Sequence, residues 1–149
     1  MRKRAFFIVQ LFVFCQLHGQ QVNADDHHIA AASFDLVSYH TAEGPKKGKK
    51  QHAVIHEGYR YFFNSAKNKA RFESSPNHYL PAFGGWCAYA MAKGDKVTVN
   101  PLAYTIENGQ LYLFYKNIIT DTRSKWLKNN IALKKSAEKQ WALLVDSKQ

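Results

Sequence analysis

Cys87 sits in the stretch AFGGWCAYAMAKG (residues 82–94), with Met91 four positions further on. On a helix that spacing puts the thiol and the thioether on one face. A thiolate beside a thioether is a soft donor pair suited to copper(I) or another heavy metal. Gly84 and Gly85 open the stretch, so a helix starting there places Cys87 in its first turn. Unpaired N–H groups at a helix start favour the thiolate, the form that binds metals and attacks substrates. One cysteine and one methionine are too few for a closed tetrahedral site. The candidate further ligands are His78, nine residues before Cys87, and His40 in the segment VSYH. His52 and His56 share one face if their segment is a strand. The competing reading is packing, because free cysteine is among the most buried residue types and behaves as a small hydrophobe.

The chain of 149 residues opens MRKRAFFIVQLFVFCQLHGQQVNA. A basic start, an apolar stretch at 5–17 too short to span a bilayer, and small residues at Val22 and Ala24 predict a signal peptide over 1–24. Export to the periplasm or the exterior follows. Cleavage after Ala24 would remove Cys15 and leave Cys87 without an internal disulfide partner, in a compartment where disulfides are the usual fate of cysteine. The new terminus would read Asp25-Asp26-His27. A free amine, two deprotonated amides and the His27 imidazole make a square-planar nitrogen set that copper(II) and nickel(II) favour. Net charge would fall from +10 to +7. That balance points to polyanion contact, with PKKGKKQH (residues 45–52) as the candidate basic loop. The basic and aromatic residues do not interleave as nucleic-acid binders require.

Residues 25–33 are expected to form a polar lead-in and 34–40 an extended segment. Residues 53–63 predict a hairpin turning at Glu57-Gly58. Ser65 is a ready N-cap for a helix over 66–73, with Ala66, Ala70 and Phe72 facing inward. The WCAYAMA segment predicts a buried helix, apolar all round. Asn108-Gly109 between alternating apolar runs predicts a second hairpin. Trp126, Ile131 and Trp141 are apolar anchors of a helix-prone tail. Strands and helices in separate blocks predict one small α+β domain, with two β-hairpins, a short buried Cys-bearing helix and C-terminal helices.

The order FDLVSYH, YRYFFNSAKNKARFESSPNHYLPAFGGWCAYAMAKG and AYTIENGQLYLFY, followed by a tryptophan-bearing tail, resembles the exported single-domain branch of the YHS-domain family over residues 34–145. Leu36 stands where that family has proline, and Trp86 where it more often has tyrosine. Asp35 and Tyr39 fall on its motif letters. The resemblance implies metal binding, copper or another heavy metal, without implying a settled activity. Three functions follow as expectations. The first is an exported soft-metal module centred on Cys87, with Met91, His78, His40 and His27 as ligand candidates. The second is a thiol-redox or cysteine-dependent enzyme. The third is a structural or interaction domain with Cys87 packed in its core. Cys87 lacks an identifiable general-base histidine, which weighs against the enzyme.

Overall fold

The computed structural model describes residues 21–147. Cys15 and the apolar stretch at 5–17, on which the signal-peptide expectation rests, lie outside them. Two antiparallel hairpins organise the chain. Strand β1 (Lys49–His56) pairs with β2 (Tyr59–Phe63), and β3 (Asn100–Glu107) with β4 (Gln110–Phe114). Both turns are tight. Glu57 and Gly58 have φ of 50° and 82°, and Asn108 and Gly109 have 52° and 81°, the left-handed pair that a two-residue type I′ turn demands. The hairpins correspond residue for residue. Each has a long first strand with a register shift, between Lys49 and Ala53 in one and between Asn100 and Tyr104 in the other.

Five helices complete the α+β domain. In α1 (Ala66–Ser74), Ser65 is the N-cap and its hydroxyl accepts from Asn68 N at 3.2 Å. Phe72 is its buried residue; Ala66 and Ala70, expected to face inward, are exposed. The helix α2 (Pro76–Tyr79) is a single turn. α3 (Ala88–Met91) is also one turn, shorter than the buried helix expected. The two glycines belong instead to a separate 3-10 turn, Ala82–Gly85, and Trp86 joins the pieces in an extended conformation. Tyr89 and Ala90 are half-buried, so α3 is not enclosed on every face. Asp121 caps α4 (Thr122–Leu127) by accepting from Ser124 N at 3.3 Å. In α5 (Asn130–Asp146), Leu133, Ala137, Trp141 and Leu144 form the inward stripe, spaced by three and four as a one-faced helix requires. Ile131 lies off that stripe and is exposed. None of these helices is long and apolar enough to cross a membrane.

Two hydrophobic clusters make the interior. The first gathers Leu36, Val37, Tyr39, Tyr61, Phe63 and Phe72. The second gathers Phe83, Ala88, Met91, Ala103, Ala137 and Trp126. β4 stands between them. Leu111 and Leu113 point into the first, and Tyr112 and Phe114 into the second, the two faces of one strand.

Three sequence expectations change here. Residues 25–33, the expected polar lead-in, fold onto the domain: Ala24 bridges Ala30, Ile29 bridges Arg60, and Ala30 is buried in the first cluster. Residues 34–40 are not extended throughout, since Ser38–His40 form a 3-10 turn. The basic run is not a free loop either, because Lys49 already begins β1. Lys46 pairs with Glu43, and Lys47 donates to Ala32 O at 2.8 Å while lying 4.6 Å above the Phe34 ring. All four lysines of the run, Lys46, Lys47, Lys49 and Lys50, are exposed.

Residues just before the expected cleavage point are part of the fold. Asn23 N donates to Gly84 O at 2.8 Å, Asn23 Nδ2 to Gly85 O at 3.1 Å, and Trp86 Nε1 to Gln21 O at 3.0 Å. Val22 packs on the first cluster. Gly84 permits this contact: its φ is +60°, and a Cβ there would sit 2.2 Å from Gln21 O, closer than any side chain tolerates.

Candidate functional site

Cys87 is the N-cap residue of α3 and is completely buried. Its backbone is tied on both sides, with Cys87 N donating to Val97 O at 2.9 Å and Met91 N donating to Cys87 O at 2.9 Å. Its sulfur is tied as well. Tyr115 N donates to Sγ at 3.3 Å, and Thr122 Oγ1 lies 3.4 Å from Sγ. The Thr122 hydroxyl donates to Tyr115 O at 2.7 Å. A hydroxyl has one proton, so the thiol is the donor to Thr122. The result is a closed ring: Tyr115 N–H to Sγ, S–H to Thr122, and Thr122 O–H back to Tyr115 O. It joins the start of α3, the end of β4 and the first turn of α4.

This arrangement buries the sulfur with a partner on either side of it. Met91 lies one turn away, fully buried, but packs within the second cluster among Phe83, Phe114 and Trp126. Among the described residues no group of three or more His, Cys, Asp or Glu is placed to hold a metal ion. The surroundings of Cys87 therefore do not fit the metal centre that the family resemblance implies.

The histidines lie elsewhere. His40 and His78 meet each other, with ring centroids 5.4 Å apart, and Tyr79 stands edge-on to both. Tyr79 packs on the first cluster, whereas Cys87 adjoins the second. Burial, and then the charge of neighbouring His78, lowers the pKa of His40. His56 packs its ring on Tyr61 and Phe72, and His52 lies beside Gln51. His27 is exposed in a turn, and its N–H donates to Asp25 Oδ1 at 2.9 Å. Asp25 N donates to Ile29 O at 3.1 Å. Two of the nitrogens needed for the square-planar copper(II) set are thus engaged in backbone turns, and Asp25 continues directly from the docked segment 21–24.

Asp35 is the other buried polar centre, and its role is structural. Oδ1 accepts from Val37 N at 2.9 Å and Ser38 N at 3.2 Å; Oδ2 accepts from Asn64 N at 2.9 Å and Asn68 Nδ2 at 2.7 Å. It clasps the segment before His40 to the start of α1. Tyr39, also buried, donates to Pro101 O at 2.9 Å and has its pKa raised by burial and then by Tyr104.

Sequence reasoning missed Thr122 and Tyr115 as the partners of Cys87. The signal for Thr122 was its place just after the helix-capping Asp121; for Tyr115, whose backbone does the work, there was none. No family model matches the chain, and neither a curated protein nor a solved structure matches it.

Proposed function

We propose that the chain is an exported binding domain of the YHS type, non-catalytic, in which Cys87 is a structural thiol. The hydrogen-bond ring through Cys87, Thr122 and Tyr115 carries this reading. A thiol that both donates and accepts, with no exposed surface, is poorly disposed to attack a substrate or exchange a disulfide. Export is consistent with the basic and apolar start of the chain. The docking of residues 21–24 favours a processing point ahead of Gln21, which would retain that segment and leave Asp25-Asp26-His27 internal.

The experiment is an anaerobic copper(I) titration of the wild-type chain beside Cys87→Ser, with thiol alkylation followed in both native protein and urea. A structural thiol gives equal copper(I) stoichiometry in the two proteins, and alkylation only on unfolding. Loss of one tight equivalent in Cys87→Ser would instead make Cys87 a metal ligand. Native alkylation without copper binding would favour the thiol-enzyme reading.

A further inference from the structure

His40 ends the 3-10 turn Ser38–His40, and His78 lies on the single turn of α2. Their ring centroids stand 5.4 Å apart with the planes inclined by 34°. Both backbones are held. Asp35 fixes the first turn through Val37 and Ser38, and the buried Tyr39 anchors it to Pro101. His78 N donates to Ser75 O at 3.2 Å, and Leu80 N to Pro76 O at 3.0 Å.

We propose that His40 and His78 form an open, two-histidine site for a divalent first-row cation such as zinc(II) or copper(II). The spacing fits the chemistry. A metal–nitrogen bond of about 2.0–2.1 Å, plus a ring radius of roughly 1.1 Å, puts each centroid about 3.2 Å from the ion; a tetrahedral angle then separates the centroids by about 5.2 Å. A second observation points the same way. His40 Nε2 is buried and has no hydrogen-bond partner among the described residues, and a group in that state calls for an explanation. A bound cation supplies the missing partner.

His78 is exposed, and the broad torsion of an imidazole about χ2 lets its lone pair turn toward the ion. Two protein ligands leave the other positions to water or to a donor on a cargo molecule, as in exchangeable rather than structural sites. Imidazole suits zinc, copper(II) and nickel, so this site differs in metal preference from a soft sulfur pair. It shares no residue with the Cys87 ring and does not depend on the role assigned there.

Calorimetric titration of the full chain with zinc(II) tests it, using wild type, His40→Gln, His78→Gln and His27→Gln, with Cys87→Ser alongside. Nitrogen NMR of the imidazoles identifies which rings respond. The expected result is one equivalent bound, with the signals of His40 and His78 shifting. Each of their glutamine variants should bind at least roughly tenfold more weakly, the low end of what loss of outer-shell support alone costs. His27→Gln and Cys87→Ser should bind like wild type. Equal affinity in wild type and His78→Gln, or shifts confined to other histidines, overturns the proposal. Because His78 is exposed, its variant decides the matter even if His40→Gln does not fold. Failure here with unchanged copper(I) stoichiometry in Cys87→Ser leaves the structural reading of Cys87 intact.

Discussion

The hydrogen-bond ring at Cys87 makes a quantitative demand on stability. Cys87→Ala removes the sulfur and leaves the Tyr115 N–H without its acceptor. That should cost about 1–3 kcal/mol, the usual penalty for a buried donor left unmade. Thr122→Val keeps the shape and removes the hydroxyl. The Tyr115 carbonyl still accepts from Thr122 N at 3.1 Å, so the expected cost is smaller, about 1 kcal/mol, chiefly from the stranded thiol proton. In the double variant neither the thiol nor the hydroxyl is present to be stranded. The double variant should therefore lose less than the two single losses together, by roughly 0.5–1.5 kcal/mol of coupling. Urea unfolding followed by tryptophan fluorescence measures this well, because Trp126 is buried in the adjoining cluster. Coupling below about 0.3 kcal/mol, the range of independent sites, would refute the ring as an energetic unit.

Asp35→Ala strands four donors at once and should lower stability by about 3 kcal/mol or more; a shift under about 0.5 kcal/mol in urea would contradict its clasping role. Protein beginning at Asp25 should be about 2–4 kcal/mol less stable than protein beginning at Gln21, since three hydrogen bonds and the Val22 contact are lost; equal melting temperatures would count against the docked segment. Tyr39 and Tyr61 are buried, and burial first, then Tyr104 for the one and Glu57 and Tyr59 for the other, raises their pKa values above the usual 10.0. The folded protein then holds protons that the unfolded chain releases. The contribution is intact below pH 10 and is lost as pH rises from there toward the folded values, at up to about 1.4 kcal/mol per pH unit for each ring. Tyr61→Phe should remove about half that slope, and urea midpoints at pH 9.5 to 11 that do not move would exclude it.

Local chemistry was the legible part. Asn108-Gly109 announced its turn because few residue pairs tolerate left-handed φ twice in succession, and the aromatic and β-branched residues flanking Glu57-Gly58 announced the other hairpin. Ser65 announced a helix because its hydroxyl satisfies an N–H that nothing else reaches. Long-range placement was not legible. Nothing local says that His40 lies against His78, or that the Cys87 sulfur meets the backbone of Tyr115, because those contacts depend on how the two hairpins pack. The alanines of WCAYAMA argued for a longer helix, but Trp86 is extended and Cys87 is a non-helical N-cap, so that only the turn Ala88–Met91 forms before Gly94. Ile131 misled because a helix-prone tail reveals its period more readily than its phase.

Strand β4 has a further consequence through the order in which the chain is made. The first cluster draws mainly on residues before Ala82, yet it lacks Leu111 and Leu113 until β4 has emerged. The N-terminal half therefore cannot close its core by itself during synthesis and stays loosely held until late. The same strand supplies Tyr112 and Phe114 to the other cluster, so neither core can melt without stripping one face from the wall of the other. The domain should fold late and in one cooperative step, with no stable half.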